Sequence, residues 1–228
     1  MNKLIVVPAR GGSKGIPKKN IYKICGKPLI CYTLDLVKSI DLPSTDVVVS
    51  SDDIEILKIA SSYNNIYVID RPKELSQDNS STEDVLLHAI DYMKKMMGRD
   101  YEAVITLQPT SPLRKKESLI RFIEEYENQI SRYDALLSLT EDRTDYWIRD
   151  SIGYRRLFPD APRRRQERNP IFAENSAYYI TDVEALKRSG SVLGTHPGGF
   201  VISAFEGIDI NDYIDIAIAE ALLREGNQ

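Results

Sequence analysis

The sequence is poor in the residues that most often carry metal and nucleophile chemistry. It has two histidines, His88 and His196, and two cysteines, Cys25 and Cys31, in 228 residues. Two histidines exclude a histidine-rich metal site and argue against a histidine-dependent triad. The two cysteines lack zinc-finger spacing and suit a reducing compartment. No apolar run approaches the ~18 residues of a membrane span. The apolar start breaks at Pro8, too early for a signal peptide, so a cytoplasmic location is expected. Positive charge is in deficit: 30 Lys and Arg against 34 Asp and Glu leave a net charge of −4. That balance disfavours wholesale nucleic-acid binding, which needs a basic face.

What is present is ordinary for a globular protein. Apolar residues make up 42% and charged residues 28%, which argues against disorder, collagen and coiled coil. The length suits one large domain, here 1–228, able to bury roughly 70–75% of its unfolded surface. Short β-branched runs alternate with helix-period segments. Strands are expected at 4–7, 47–49, 66–69, 103–107 and 135–139. Helices are expected at 29–40, with Pro28 in the first turn, at 54–63 behind an Asp53 cap, at 82–97, capped by Ser81 or Thr82, and at 117–127. Such alternation implies an α/β fold with a largely parallel sheet, whose ligands bind at the carboxyl ends of the strands. The rhythm breaks over 140–170, which holds Trp147 and many Tyr and Arg. This stretch is expected to be an inserted hairpin or small subdomain. Regularity returns at 177–180, 183–187, 200–205 and a closing helix over 213–224.

The chemistry-bearing residues follow strands. The first strand runs into Pro8-Ala9-Arg10-Gly11-Gly12-Ser13-Lys14-Gly15-Ile16-Pro17-Lys18-Lys19-Asn20. Its glycines let backbone N–H groups turn toward an anion, and its four cations concentrate positive charge in an acidic protein. This reads as a phosphate cradle, with a solvated glycine turn as the alternative. It is neither a Walker A loop nor a dinucleotide GxGxxG. Later, Arg163-Arg164-Arg165-Gln166-Glu167-Arg168 is the densest basic run, open to reading as a solvated face or an RNA patch, the latter lacking interleaved aromatics and a basic pI.

This opening motif resembles that of bacterial N-acylneuraminate cytidylyltransferases, the CMP-sialic acid synthetases. Ser50-Ser51-Asp52, Arg71-Pro72, Leu107-Gln108-Pro109-Thr110-Ser111-Pro112-Leu113-Arg114, Asn175-Ser176-Ala177-Tyr178-Tyr179 and Asp209-Ile210-Asn211 follow in the family's order, so the resemblance covers essentially the whole chain. It implies a Rossmann-like, mostly parallel sheet of the nucleotidyltransferase type. It implies CTP, Mg²⁺ and an acidic nine-carbon sugar as reactants and cofactor, and a homodimer formed through the 140–170 excursion.

The resemblance also carries roles residue by residue. Ala9, Arg10, Gly11, Gly12, Ser13, Lys14, Lys19 and Asn20 would hold the nucleotide, with Arg10 and Lys19 along the triphosphate. Lys18 is expected to be merely exposed. Arg71 would lie by the base, with Ser80 and Thr82 in the segment beside it. Helix capping alone is the other reading of Ser80–Thr82. Gln108, Asn175 and Tyr179 would touch the sugar, and Arg165 would grip its carboxylate as a bidentate fork. Ser176 stands where the family usually has Gly. Asp209 and Asn211 match a metal-binding Asp-x-Asp whose second Asp is replaced by an uncharged amide. They were expected on one side of a strand end, with Asp215 as the next metal candidate or the start of the last helix. Arg10, Lys19 and Asp209 are the catalytic candidates, and His88 and His196 are expected to be structural and exposed. The rival readings are a sister enzyme for legionaminic, pseudaminic or 3-deoxy-octulosonic acid, and a nucleotide-binding module without catalysis. A glycosyltransferase is a weaker rival, because Asp52-Asp53 is adjacent rather than spaced.

Overall fold

The computed structural model describes residues 1–13 and 15–225. The β-branched first run forms β1 (Lys3–Pro8), buried on both faces. Two short strands, β2 (Lys23–Ile24) and β3 (Lys27–Pro28), pair antiparallel before α1 (Leu29–Lys38). They were not anticipated, because two-residue strands leave no periodicity to read. β4 (Thr45–Ser51), α2 (Ile54–Ser61) and β5 (Ile66–Asp70) follow. Asp53 caps α2 by accepting from the Glu55 N–H at 2.7 Å, as predicted. α3 (Thr82–Met97) is capped by Ser81, and β6 (Ala103–Thr106) leads to α4 (Lys116–Asn128) and β7 (Ala135–Asp142).

The 140–170 stretch contains a hairpin of β8 (Trp147–Arg149) and β9 (Tyr154–Arg156). β10 (Ile171–Asp182), α5 (Val183–Ser189), β11 (Pro197–Ile202) and α6 (Tyr213–Glu225) complete the order. The strand expected at 200–205 lies earlier. Phe205 sits in a turn and is exposed, with the Ile208 N–H donating to its carbonyl. Gly198 and Gly199 hid the strand's start. A Cβ on Gly198 would fall 2.6 Å from the Tyr133 ring, and one on Gly199 2.5 Å from Leu139.

The main sheet runs β11-β7-β10-β6-β1-β4-β5. It is parallel except for β10, which is antiparallel to both neighbours. Alternation along β1 sends its side chains to two layers. Ile5 and Val7 pack with Leu34 of α1, Ile56 of α2 and Phe122 of α4, while Leu4 and Val6 pack with Leu86 and Ile90 of α3 and Leu186 of α5. From β1 the chain winds outward through β4 and β5, then returns to β6 on β1's other side. The crevice at this reversal, beyond the carboxyl ends of β1 and β6, is where an open α/β sheet binds ligands. No helix among the described residues is long and apolar enough to cross a membrane.

β10 carries a bulge between Glu174 and Tyr179. Within it Ser176 has φ +59°, the left-handed region that a Cβ disfavours and glycine adopts freely. The glycine that the resemblance leads one to expect at this position would adopt this conformation without strain. Ser176→Gly is expected to stabilise the protein by about 0.5–1 kcal/mol, since relief of roughly 1–2 kcal/mol of left-handed strain exceeds glycine's extra unfolded-state entropy. Urea denaturation checks this; an unchanged or lower midpoint would show that the bulge holds Ser176 without strain.

Candidate functional site

A cleft of about 460 Å³ opens at the reversal point. Pro8 and Arg10 line it from the end of β1, and Gln108, Pro109 and Thr110 from the end of β6. Ser13, Gly15, Lys19 and Asn20 belong to the glycine-rich loop, Arg71 follows β5, and Ser80, Ser81 and Thr82 open α3. Asn211 enters from the irregular segment between β11 and α6.

The glycine-rich loop is held by its own polar groups. Asn20 is buried, and its Nδ2 donates to the Arg10 carbonyl at 2.8 Å, closing the loop's two ends. The Gly11 N–H donates to Asp52 Oδ1 at 2.8 Å, which explains the acidic residues after β4. Gly15 packs on the 209–211 segment so closely that a Cβ there would lie 2.6 Å from the Asn211 carbonyl oxygen. Ala9 is fully buried in the core, and Gly11 and Gly12 face a shallow depression beside the cleft. Lys18 turns to that depression and pairs with Glu55 at 2.6 Å, in line with its reading as an exposed lysine. Lys14 lies outside the described residues.

Among the described residues, three cations face the cleft, with different degrees of freedom. Arg10 is partly exposed and pairs with Asp78 at 3.0 Å. Lys19 is half-buried and donates from Nζ to the Ile210 carbonyl at 2.7 Å. Burial lowers its pKa, nearby Asp209 opposes that, and Arg10 adds to it. Arg71 is buried and donates to Ser50 Oγ at 3.1 Å and to the Ser50 carbonyl at 2.6 Å. Burial pulls its pKa down to about 10, so it stays charged at neutral pH. Ser80 braces its own turn, donating to the Glu74 carbonyl and accepting from the Gln77 N–H, both at 3.0 Å.

The proposed metal pair does not lie on a strand, as had been expected, because the 209–211 segment is irregular. The two side chains still meet: Asn211 Nδ2 donates to Asp209 Oδ2 at 2.8 Å. Asp209 Oδ1 is buried without a hydrogen-bond partner among the described residues. A buried carboxylate oxygen left in this way calls for an explanation, and a hard cation supplies one. Asn211 keeps its own amide oxygen for the same ion. The residues thus fit a Mg²⁺ held by few protein oxygens and completed by phosphate and water. Asp215 accepts from the backbone N–H groups of Asn211 and Asp212 at 2.7 and 2.9 Å, so its carboxylate holds the entry to α6.

The candidate sugar residues are more scattered. Gln108 lines the cleft. Asn175 is committed to the β10 bulge: its Oδ1 accepts from Ser138 Oγ at 2.5 Å and from the Ala177 N–H at 3.2 Å, and its Nδ2 donates to Thr140 Oγ1 at 2.7 Å. Tyr179 is buried and donates to Glu174, with the Ser176 hydroxyl 3.2 Å from its phenol oxygen, and burial raises its pKa. Neither lines the cleft, although Tyr179 lies within the field of Asp209. Arg165 sits exposed in a single helical turn, Arg165–Glu167, on the excursion and does not line this cleft.

Two residues that sequence reasoning passed over complete the surroundings. Arg114 is buried behind the Gln108 loop and donates to the Gln108 carbonyl at 2.8 Å. Its motif had been noted, but nothing in the sequence said that the guanidinium turns inward. Glu206 is buried and accepts from the Lys115 N–H, Ser118 Oγ and Tyr178 OH at 3.1, 2.9 and 2.6 Å. It serves the N-terminus of α4 from the far end of the chain, a contact without local signal.

Neither histidine lines the cleft. His196 is exposed beside Asp134, and His88 lies on α3 against Tyr92. The arrangement is therefore one of fixed cations, backbone dipoles and oxygen donors around a polar cleft, which suits phosphoryl chemistry by charge neutralisation.

The comparisons agree with this chemistry. The N-acylneuraminate cytidylyltransferase of Escherichia coli O18:K1:H7 is 28% identical over 99% of this chain and 53% of its own length, so the chain spans about half of that relative. The CMP-N,N'-diacetyllegionaminic acid synthase of Legionella pneumophila is 31% identical over 98% of this chain and 97% of its own. A solved CMP-2-keto-3-deoxy-manno-octonic acid synthetase complexed with CTP shares the fold, with a TM-score of 0.72 over 99% of this chain and 100% of its own at 16% identity. The family model described as cytidylyltransferase matches residues 4–153, which include the glycine-rich loop, Arg71, Gln108 and the sheet reversal. The chain belongs to the cytidylyltransferase family, a group of nucleotidyltransferase enzymes.

Proposed function

We propose that the chain transfers CMP from CTP to an acidic nine-carbon sugar of the N-acylneuraminate type, releasing pyrophosphate. The observation that carries this reading is the cleft itself. Arg10, Lys19 and Arg71 line it together with Gln108 and Asn211, and Lys19 is tied directly to the 209–211 segment.

The sugar's anomeric oxygen attacks the α-phosphorus of CTP, the bond from that phosphorus to the bridging β-phosphate oxygen breaks, and the hydroxyl proton passes to solvent. Arg10 and Lys19 neutralise the charge that grows on the departing pyrophosphate. Arg71, with the opening turn of α3, receives the base. Mg²⁺, when bound through Asp209 and Asn211, supplies further neutralisation of phosphate charge. A hydroxyl beside a carboxylate on a former keto carbon is more acidic than an ordinary alcohol. This is consistent with a cleft that holds no histidine among the described residues.

The test is a panel of nine-carbon acids, N-acylneuraminate, legionaminate and pseudaminate, with 3-deoxy-octulosonate as the shorter comparison. Each is supplied with CTP and Mg²⁺ while pyrophosphate release is followed. Turnover with N-acylneuraminate above the others supports the reading. Preference for another acid reassigns the sugar, and CTP binding without turnover of any supports a non-catalytic nucleotide module.

The excursion supports a homodimer. It exposes Trp147, Ile152, Tyr154 and Phe158, a large apolar surface for one hairpin. Pairing there would bring Arg165 of one subunit to the other's cleft. Its neighbours are occupied: Arg163 pairs with Asp145 and Arg164 with Glu167, while Arg168 donates to three backbone carbonyls. Arg165→Lys is expected to raise the sugar KM and lower kcat/KM for the sugar by about 10-fold, because charge is kept and the bidentate fork is lost. CTP kinetics should be unchanged, and Arg163→Lys and Arg164→Lys should behave as wild type. Equal small effects at all three positions would make the run a plain surface patch.

A further inference from the structure

We infer that Arg114 is a positioning residue for the acceptor sugar: it ties the cleft-lining Gln108 loop to the β10 bulge behind it and so fixes where Gln108 stands in the cleft. This rests on the proposed acidic-sugar reading.

Arg114 is buried, 8% exposed, and does not line the cleft. One terminal nitrogen, Nη1, donates to the Ala177 carbonyl at 2.9 Å. The other, Nη2, donates to the Gln108 carbonyl at 2.8 Å and to Thr33 Oγ1 at 2.5 Å. Gln108 lines the cleft, and Ala177 lies in the bulge between Asn175 and Tyr179. One rigid planar group thus bridges the cleft-lining Gln108 loop and the β10 bulge, two stretches that are distant in sequence.

The cost of this arrangement argues for its use. A buried cation without a carboxylate in hydrogen-bond contact is expensive. Among the described residues, no acidic side chain hydrogen-bonds Arg114; Glu206 and Asp209 act on it through their fields. Its Nε remains buried without a hydrogen-bond partner among the described residues. An apolar residue of similar volume would fill the space at lower cost but would leave both carbonyls unpaired and the two segments unlinked. Tyr178, 6.0 Å below the guanidinium carbon, is itself fixed by its bond to Glu206, so the bridge rests on a braced ring.

A lysine would keep the charge but cannot present donors in this fork. In Arg114→Lys the sugar KM is expected to rise about 10-fold or more, the scale on which small misplacements act. The CTP KM should stay within about 2-fold of wild type. Thr33→Val removes only the third bond and serves as the control, with lower stability and an unchanged sugar KM. Amide hydrogen exchange on the unliganded protein is measured alongside. In Arg114→Lys, 106–112 and 174–179 should exchange faster together, with 9–13 and 15–20 unchanged. The inference is overturned if sugar and CTP KM rise together in proportion to lost stability, or if faster exchange is confined to 114–118. Should wild type turn over no acidic sugar, the functional reading fails, and the exchange result still decides whether Arg114 links the two segments.

Discussion

Lys19→Ala is expected to lower kcat by roughly 10²-fold or more, the loss typical of removing one fixed charge stabiliser from a transition state. Lys19 is suited to this role by its place. Its Nζ donates to the Ile210 carbonyl, so without ligand the ammonium is held beside Asp209 rather than swinging in solvent. Little reorganisation is then needed when a triphosphate arrives. The fold should tolerate the change, because the loop's closure depends on Asn20 bonding to the Arg10 carbonyl. A pH profile adds a second check. Burial lowers the Lys19 pKa, so its charge is lost at a lower pH than that of an ordinary lysine. The alkaline limb of kcat/KM, which reports the free enzyme, should therefore fall below the usual lysine range and shift upward in Lys19→Arg. Near-normal turnover in Lys19→Ala with an unmoved alkaline limb would remove this lysine from the mechanism.

Apart from the two-residue β2 and β3, the strands and helices of the first 140 residues were legible because their signals are local. Alternation, the Asp53 and Ser81 caps, and the break at Pro8 each depend on residues a few positions apart. The direction of β10 was not legible. A strand's sequence does not state whether it runs with or against its neighbours, and β10 is set between β6 and β7 only after the long excursion. The cleft divides in the same way. Arg10, Lys19, Arg71, Gln108 and Asn211 follow strand ends or belong to compact motifs, and the structure brings them together. Asn175 carries the same family signal, yet its amide is spent on Ser138 and Thr140, contacts that no local pattern announces. Glu206 and Arg114 were passed over for the same reason: buried polar groups find partners across the fold.

Asp209→Asn is expected to remove most activity, on the order of 10²-fold or more, because it deletes a formal charge at the point where phosphate charge must be offset. Among the residues proposed to hold the metal, Asp209 is the one carboxylate; Asn211 contributes an amide, and Asp215 is turned to the backbone of α6. The substitution is isosteric, and the side chain's bonded partner is a neutral amide, so thermal stability should change little. Calorimetric titration of Mg²⁺ into the protein with CTP separates the metal role from a general electrostatic one, since affinity should fall with activity. The converse variant is equally informative. Asn211→Asp replaces the bond to Asp209 Oδ2 by two facing carboxylates, which repel unless a cation lies between them. Its melting temperature should lie below wild type without divalent ions and rise more steeply than wild type as Mg²⁺ is added. Activity should be retained and half-saturate at lower Mg²⁺. If Asp209→Asn keeps full activity at low millimolar Mg²⁺, and Asn211→Asp shows no Mg²⁺-dependent gain in stability, the cation is held by other groups and the buried Asp209 oxygen has a different explanation.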